Sequence, residues 1–287
     1  MAQIQEVKAS VLKKILKKRD PLSHKGENGR VLIIGGSEEF YGAPVLAAKA
    51  ALRAGADLVY LYVPECNFEV TRGFLPDFIV RKYKGDYFSP RAADEIIDFG
   101  KTCDAVLMGP GMGDKESVID GVLEVLKSLR IPTVLDADAI QALKKIKKFP
   151  LEQDVLITPH RNEFSNLVDR EISLNEMDTQ SMILMRSIAM DLHLNIVLKG
   201  PIDLIASDEG ELVKSKTGNA GMTVGGTGDV LAGLAASLVA QGNNCFVAGQ
   251  AAAYINGAAG DLAYKEFGVG LMASDVAEKV GTLSRSF

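Results

Sequence analysis

RVLIIGGSEEFYGAPVLAAKAALR, residues 30–53, joins an apolar run to a helical pattern through a glycine turn. Arg30 to Ile34 predicts a buried strand, Gly35-Gly36 ends it, and Pro44 to Arg53 has the Ala and Leu spacing of a packed helix. A short, continuous apolar run bounded by glycines is typical of a strand in a parallel sheet. This unit predicts an α/β fold.

The same alternation of strand and helix continues along the chain. Since strands that alternate with helices imply right-handed crossovers, we expect a mostly parallel sheet covered on both faces. The further predicted strands are Leu58 to Val63, Asp104 to Met108, Thr133 to Leu135, Asp154 to Ile157 and Asn195 to Leu198, and the predicted helices between them include Ser117 to Leu129 and Glu176 to Leu192.

The order of elements changes in the last third of the chain. Asp203 to Ala206 and Leu212 to Ser215 flank Asp208-Glu209-Gly210 and predict an antiparallel hairpin. Two helices rich in Ala and Gly follow, from Asp229 to Gln241 and from Phe246 to Tyr264. Their small residues permit close packing of one helix backbone on another.

Residues 1–23 form an N-terminal helix region within the single domain that we expect over residues 1–287, since no linker divides the chain. Lysines surround an apolar helical face between Lys8 and Arg19. A helix that docks this face on the core is favoured, and a helix lying on a membrane surface is the alternative. The apolar face consists of Val11, Leu12, Ile15 and Leu16.

The composition excludes several classes of protein. A chain of 287 residues with 47% hydrophobic side chains can bury a core, yet it has no apolar run of the roughly 18 residues that a membrane-spanning helix needs. Cys66, Cys103 and Cys245 are too far apart for a disulfide framework or a CxxC metal site. A net charge of −5 and 6% aromatic residues provide no surface for nucleic acid. We expect a soluble cytoplasmic protein that binds small molecules, without a nucleic-acid or membrane partner.

Neither standard nucleotide-binding motif is present. The GxxxxGK[ST] loop is absent, and GGSEEFYG, residues 35–42, lacks the GxGxxG spacing. Open parallel sheets nevertheless bind ligands beyond the carboxyl ends of their strands. Glycine, proline and polar residues are concentrated at those ends, in Gly35-Gly36, Gly109 to Gly113, Asp136-Ala137-Asp138, Thr158-Pro159-His160 and Lys199-Gly200.

The most specific stretch is NAGMTVGGTGDVLAG, residues 219–233. The turn formed by Gly225, Gly226, Thr227 and Gly228 would open a helix and direct unpaired N–H groups at one spot, which is an anion hole suited to a transferring phosphoryl group. Asp229 beside it could take a proton from an attacking hydroxyl, and the helix dipole predicts a low pKa for this carboxyl. The alternative is a capped helix start in which Asp229 only satisfies backbone donors.

This stretch resembles the signature of the ribokinase-like superfamily. Further segments occur in the order typical of the NAD(P)HX dehydratase family, the nicotinamide-nucleotide hydrate repair enzymes, and the resemblance covers the chain from His24 to its end. It implies a ribokinase-like three-layer α/β/α fold with a mostly parallel central sheet plus an antiparallel hairpin. The segments are HKGENGRVLIIGGSEEFYGAPVLAAKAALRAGADLV, MGPGMG, VLDADAI, LITPHRNEF and VLKGPIDLIA.

The resemblance implies an ADP-dependent hydro-lyase. Such an enzyme phosphorylates the C6 hydroxyl of S-NADHX or S-NADPHX and expels phosphate, which restores NADH or NADPH while ADP becomes AMP. ATP is the alternative donor, and a ribokinase-like kinase for a small vitamin precursor is the alternative function. Mg²⁺ is the expected cofactor because it suits carboxylate and phosphate oxygens.

The resemblance also assigns roles to residues that match the family's motifs. It makes Asp229 the catalytic base in contact with the hydrate, and it places Ala43, Gly113 and His160 around the same substrate. Glu163 resembles the acidic residue that orders Mg²⁺ through water. The nucleotide, whether ADP, AMP or ATP, would contact Lys199, Gly200, Pro201, Ile202, Asp203 and Gly228.

Each of these residues also has a plain structural interpretation. Ala43 could be only a helix start, Gly113 only a turn glycine, and His160 a packed loop residue. Lys199 could be a solvated lysine at a strand end, and Glu163 a residue of a surface helix.

Two positions depart from the family's pattern. The family usually has glycine where this chain has Asn162, and the turn can survive because Asn tolerates a left-handed backbone. It usually has threonine where this chain has Asp203, whose carboxylate would repel the donor phosphates unless it points away. Asp203 therefore leaves the choice between ADP and ATP open.

Three expectations concern the whole protein. Residues 1–23 leave no room for the epimerase domain that family members often carry, so a separate epimerase is the expected functional partner. We expect a homo-oligomer, with a tetramer favoured. We also expect the net charge of −5 to lie away from a cleft that binds anions.

Overall fold

The computed structural model describes residues 4–15, 19–147, 149–169 and 179–283. Ten strands lie in one sheet. They are β1 (Gln5–Glu6), β2 (Arg30–Ile34), β3 (Leu58–Pro64), β4 (Ile79–Tyr83), β5 (Ala105–Met108), β6 (Thr133–Leu135), β7 (Val155–Ile157), β8 (Asn195–Leu198), β9 (Asp203–Ala206) and β10 (Leu212–Ser215).

Helices connect and cover these strands. They are α1 (Ser10–Ile15), α2 (Gly42–Arg53), α3 (Phe68–Arg72), α4 (Pro90–Gly100), α5 (Glu116–Ser128), α6 (Arg161–Leu167), α7 (Thr179–Asp191), α8 (Thr227–Ala240), α9 (Cys245–Phe267) and α10 (Ala273–Leu283). Short 3₁₀ segments occur at Glu65–Asn67, Ala137–Lys145, Ala220–Thr223 and Gly268–Gly270.

The order of strands across the sheet is β1-β10-β9-β8-β7-β6-β5-β2-β3-β4. Strands β4, β3, β2, β5, β6, β7 and β8 run parallel, whereas β9 is antiparallel to both β8 and β10. The two-residue β1 pairs in parallel with β10 at the edge. The predicted mostly parallel sheet with an added antiparallel hairpin is therefore confirmed.

The sheet separates two hydrophobic cores. In β2, Val31 and Ile33 face the core under α1, α2, α8, α9 and α10, whereas Leu32 and Ile34 face the core under α4, α5, α6 and α7. This alternation follows from the two-residue period of a strand, and it explains why RVLII is apolar on both faces. The predicted three-layer α/β/α arrangement is confirmed.

The predicted strands and the helices of the last third match the observed elements to within three residues at each end. The sequence analysis did not predict β4, α4 or α10. Strand β4 forms the edge of the sheet and exposes most of its side chains, so it lacks the continuous apolar run of the buried strands. Residues 176–178 of the predicted helix Glu176 to Leu192 lie outside the described residues.

The N-terminal helix docks on the core. Leu12 and Ile15 are buried in the cluster beneath α9, which agrees with the favoured interpretation of this segment. Leu16 lies outside the described residues. Within the described part of the chain, none of the helices combines the length and apolarity needed to cross a bilayer.

Candidate active site

The carboxyl ends of neighbouring parallel strands meet at one edge of the sheet. Met108, Leu135 and Ile157 end β5, β6 and β7 in a shared register, and His160 and Lys199 extend this edge through an isolated parallel bridge. Residues that follow these strands therefore lie side by side, as the topology requires. The sheet thus brings together segments that are far apart in the sequence.

Lys199 is the cation at the centre of the side chains that lie at these strand ends. Its Nζ lies 2.9 Å from Asp136 Oδ1 and 3.8 Å from Glu163 Oε2. A Cβ atom placed on Gly228 would lie 3.1 Å from the same Nζ, so the lysine is directly beside the start of α8. Burial alone would lower the pKa of Lys199, but the charges of Asp136 and Glu163 outweigh it and raise that pKa. The lysine is consequently not a solvated strand-end residue.

The glycine turn before α8 has the form that the sequence predicts. Gly226 is the N-cap with φ +98°, and a Cβ there would meet Leu46 Cδ1 at 2.6 Å and Ala273 Cβ at 2.9 Å. A glycine N-cap has no side chain to accept from the first-turn N–H groups, which leaves them for another acceptor. A Cβ on Gly225 would meet no atom within 4 Å, so this side of the turn is open. Thr227 secures the turn by donating its hydroxyl to Met222 O at 2.9 Å.

The segment before the turn is tied to α9. Asp261 accepts from the backbone N–H of Gly218 at 3.2 Å and from Asn219 Nδ2 at 2.9 Å. The Asn219 side chain in turn accepts from Gly221 N–H at 2.9 Å. These bonds anchor the segment that precedes the glycine turn on α9.

Asp229 lies in the first turn of α8, and its pKa differs from the prediction. Burial, together with the neighbouring charges of Asp136 and Glu163, raises the pKa to about 7, although the charge of Lys199 opposes this increase. The predicted low pKa is wrong because removal of water and two nearby carboxylates outweigh the field of one helix end. A carboxyl with this pKa can both accept and release a proton near neutral pH.

His160 and Glu163 form a capping box at the start of α6. Glu163 N–H donates to His160 Nδ1 at 3.1 Å, and His160 N–H donates to Glu163 Oε2 at 2.7 Å. Glu163 Oε1 also lies 3.3 Å from His160 Nε2. Burial raises the pKa of Glu163. The charge of Lys199 partly offsets this increase, and the charge of Asp136 adds to it. The contact of His160 with substrate and of Glu163 with Mg²⁺ stay predictions.

Both departures from the family's pattern have a simple local structure. Asn162 lies within α6, so its backbone is helical and the expected left-handed conformation is wrong. Asp203 Oδ1 accepts from Gly200 N–H at 3.0 Å and thereby closes the turn between β8 and β9. Burial raises the pKa of Asp203 to about 7, although the Gly200 donor and Lys199 favour its charged form. Its carboxylate points into its own turn, which reduces the expected repulsion of phosphates.

The predicted substrate residues Ala43 and Gly113 lie in the segments that follow β2 and β5. A Cβ on Gly111 would be 3.2 Å from Ala43 Cβ, and Gly113 has φ +79°, a conformation that favours glycine. Asp138 accepts a hydrogen bond from the Gly113 backbone. Leu46, one helical turn after Ala43, is the residue that packs on Gly226, so α2 links Ala43 to the glycine turn before α8.

Thr158 was predicted only to lie at a polar strand end, and no role in the site was assigned to it. Its hydroxyl donates to Asp136 Oδ1 at 2.7 Å, on the same oxygen that accepts from Lys199. The signal available in the sequence was the position of these two residues, since Asp136 directly follows one predicted strand and Thr158 directly follows the next. The expectation that negative charge lies away from the cleft is also wrong, because Asp136, Glu163 and Asp229 all surround Lys199.

These groups can perform one kind of chemistry together. A carboxylate that can act as a base and a lysine ammonium lie beside the first turn of a helix whose N-cap is glycine, and this arrangement suits phosphoryl transfer to a hydroxyl.

Comparison with known proteins agrees with this chemistry. A family model described as NAD(P)H-hydrate dehydratase matches residues 31–281. The chain is 43% identical, over 265 residues, to the bifunctional NAD(P)H-hydrate repair enzyme of Methanothermobacter thermautotrophicus; the match covers 91% of this chain and 51% of that protein. The chain thus spans about half the length of the bifunctional relatives that it matches.

A relative of similar length matches almost from end to end. The ADP-dependent (S)-NAD(P)H-hydrate dehydratase of Nitrosopumilus maritimus is 33% identical over 280 residues, with 97% of this chain and 96% of that protein covered. The crystal structure of ADP/ATP-dependent NAD(P)H-hydrate dehydratase from Bacillus subtilis, co-crystallized with ATP/Mg²⁺, superposes with a TM-score of 0.86 at 27% identity and covers 100% and 99% of the two chains. The predicted ribokinase-like fold is confirmed by a further superposition, on a ribokinase-like superfamily protein from Enterococcus faecalis. This chain belongs to the NAD(P)H-hydrate dehydratase family.

Proposed function

We propose that this protein is an ADP-dependent dehydratase that returns the S hydrates of NADH and NADPH to the intact cofactors. The observation that carries the proposal is the placement of Lys199 beside Gly228 at the N-terminus of α8, whose first turn carries Asp229. A base, a cation and backbone donors around one point support phosphoryl transfer from an anionic donor to a hydroxyl. Family membership supplies the hydroxyl, that of the hydrated nicotinamide ring.

Asp229 starts the reaction as the base. Its carboxylate takes the proton of the C6 hydroxyl while that oxygen forms a bond to the β-phosphorus of ADP. The bond from this phosphorus to the bridging oxygen breaks, and AMP leaves with the electron pair. Lys199 and the first-turn N–H groups of α8 stabilise the negative charge on the transferring group.

The second step removes phosphate. The C6–O bond breaks, phosphate leaves with the electron pair, and loss of a proton from C5 restores the ring double bond. The hydrate and ADP thus yield NADH or NADPH, AMP and inorganic phosphate. Phosphorylation is needed because hydroxide is a poor leaving group and phosphate is a good one.

Mg²⁺ fits the residues of this site only as a companion of the nucleotide. Among the described residues, no group of three or more His, Cys, Asp or Glu side chains could hold a metal ion alone. Glu163 is 18% exposed and its carboxylate retains free lone pairs, so we propose that it holds the ion through a water while the phosphates bind it directly. The bound ion would neutralise charge on the donor phosphates.

The test combines purified protein with S-NADHX, Mg²⁺ and either ADP or ATP. We expect the absorbance of the reduced nicotinamide ring to return, with release of free phosphate, and ADP to be the better donor. Asp229→Asn should lower turnover by roughly 10²- to 10⁴-fold while nucleotide binding persists, because only the base is lost. Glu209→Gln, a change at an exposed carboxylate of the β9–β10 hairpin, is the matched control and should have no effect.

Two outcomes would overturn this proposal. If neither nucleotide restores NADH, the protein is not a dehydratase, and a phosphorylated product that accumulates would favour a kinase for a small vitamin precursor. Unchanged turnover in Asp229→Asn would remove Asp229 from the role of base.

The remaining expectations belong to this proposal. They are a homo-oligomer with a tetramer favoured, a cytoplasmic location, and a separate epimerase that acts on the same hydrates. Light scattering of the purified protein measures the number of copies directly.

A further inference from the structure

Asp136 is a buried carboxylate with a defined set of donors. Its side chain is 3% exposed, and its Oδ1 accepts from Thr158 Oγ1 at 2.7 Å and from Lys199 Nζ at 2.9 Å. A charge withdrawn from water in this way needs such partners. The carboxylate and the ammonium therefore hold each other in place.

The backbone gives this carboxylate little freedom to move. Asp136 N–H donates to Met108 O at 3.0 Å, and Gly109 packs so closely that a Cβ there would lie 1.8 Å from Asp136 O. Gly109 has φ +128°, so both its conformation and its neighbour require glycine. Ala137, the next residue, has φ +49° and turns the chain away directly after the carboxylate. Asp136 directly follows β6 and is anchored to the end of β5.

Lys199 has three acidic neighbours, and they are not equivalent. Asp136 is in hydrogen-bonding contact, Glu163 is 3.8 Å away, and Asp229 acts only through its charge. The lysine side chain is 20% exposed, so an ammonium released by Asp136 could turn to Glu163 or to solvent. Either movement would take Nζ away from Gly228, where it lies 3.1 Å from the Cβ position.

We propose that Asp136 is a positioning residue that holds the Lys199 ammonium beside Gly228, with Thr158 orienting the carboxylate. The inference rests on the proposed function, since it assumes that Lys199 meets the donor phosphates. A lysine is a flexible point charge, and one already held in place loses less side-chain freedom when the nucleotide binds. Asp136 thereby contributes to nucleotide affinity without touching the nucleotide.

The test is Asp136→Asn, which keeps the size of the side chain and removes its charge. We expect the dissociation constant for ADP, measured by calorimetry in the absence of hydrate, to rise roughly 10- to 100-fold. We also expect the acid limb of the kcat/KM profile to move to lower pH, because Asp136 no longer raises the pKa of Asp229. A residue that only stabilises the fold would lower the melting temperature and leave the ADP affinity of the folded protein unchanged.

A second variant covers the case in which Asp136→Asn does not fold. Thr158→Val removes one donor and keeps the charge, so it should weaken ADP binding by roughly two- to tenfold and leave the acid limb unchanged. In a Lys199→Ala background, Asp136→Asn should cause no further loss of ADP affinity, because the group that it positions is gone. Glu209→Gln serves again as the control.

The possible failures are distinguishable. Folded Asp136→Asn protein with wild-type ADP affinity and a wild-type acid limb would overturn the positioning role alone. Wild-type protein that binds ADP but restores no NADH would overturn the proposed function, while the affinity comparison still decides the role of Asp136. Wild-type protein that binds neither ADP nor ATP would overturn both.

Discussion

Lys199 faces three carboxylates, and this excess of negative charge is the main electrostatic property of the site. Asp136, Glu163 and Asp229 all raise its pKa, so the lysine stays charged although it is largely enclosed. Burial and the nearby carboxylates raise the pKa of Glu163 and Asp229 as well. Perturbed pKa values of this kind are typical of sites that move protons and bind anions. Under the proposed function, the charge of the donor phosphates would have to be offset by more than Lys199, which agrees with the proposal that a divalent cation accompanies the nucleotide.

Ala137 carries backbone strain beside this cluster. Its φ of +49° lies in the left-handed region, where a non-glycine residue costs of order 1–3 kcal/mol. Ala137→Gly should change the free energy of unfolding by less than about 1 kcal/mol, because relief of strain offsets the added freedom of the unfolded chain. Ala137→Val should lower it by about 1–3 kcal/mol, since β-branched residues fit this conformation poorly. Urea denaturation measures both, and a valine variant as stable as wild type would show that position 137 is unstrained.

Helices α2 and α8 pack against each other through a very close contact. A Cβ on Gly233 of α8 would lie 2.0 Å from Ala47 O, and Ser237 Oγ of α8 donates to Ala51 O at 2.8 Å. Because α2 carries Ala43 and α8 carries Asp229, this contact fixes how two of the predicted substrate residues are placed relative to each other. A glycine in the middle of a helix is otherwise unfavourable, so packing explains its presence.

Gly233→Ala tests this contact. The added methyl group would gain up to about 1 kcal/mol of helix propensity, but it must push α2 away, and we expect a net loss of about 1–3 kcal/mol in the free energy of unfolding. Gly270→Ala is the control, because a Cβ there would meet no atom within 4 Å. Thermal and urea unfolding measure both variants. An alanine at 233 that stabilises the protein would contradict the close packing seen here.

Two carboxyl groups of the protein bind protons more tightly in the folded state than in the unfolded chain. Asp203 and Asp229 have folded pKa values of about 7 against 3.8 for ordinary aspartate, so the folded protein binds more protons than the unfolded chain between these values. Their contribution to stability is fully present below the unfolded pKa and is lost as the pH rises through 7. We infer that ionisation of Asp229, which its proposed role as a base requires, lowers the stability of the folded protein in this pH range.

Stability should therefore fall as the pH rises from about 5 to about 7 and level off above about 8. The expected slope is at most about 1.4 kcal/mol per pH unit for each of the two groups. Urea denaturation across this range measures it, and Asp229→Asn should reduce the slope because one titrating group is removed. The asparagine variant should also be the more stable protein at about pH 8, by roughly 2–8 °C in melting temperature. A flat profile in the wild-type protein would show that neither carboxyl has the stated pKa.

Much of the architecture was predictable because it depends on local patterns. RVLII and the other apolar runs are buried on both faces, so their composition alone marks them as strands of a covered parallel sheet. Strand β4, at the edge of the sheet, was not predicted because most of its side chains are exposed, so its sequence has no continuous apolar run. The glycine turn before α8 was predictable because a bare backbone at a helix start leaves donors open whatever surrounds it.

The sequence by itself determined the layers and the glycine turn at the start of α8, and it supplied the prediction that Asp229 is the base, since each depends on a contiguous stretch of residues. Only the tertiary structure decided how these parts interact. Asp136 and Lys199 are 63 residues apart, and their ion pair exists because the registers of β6, β7 and β8 bring two strand ends together. The pKa of Asp229 was decided in the same way, because it depends on burial and on charges from two other segments rather than on the helix that carries it.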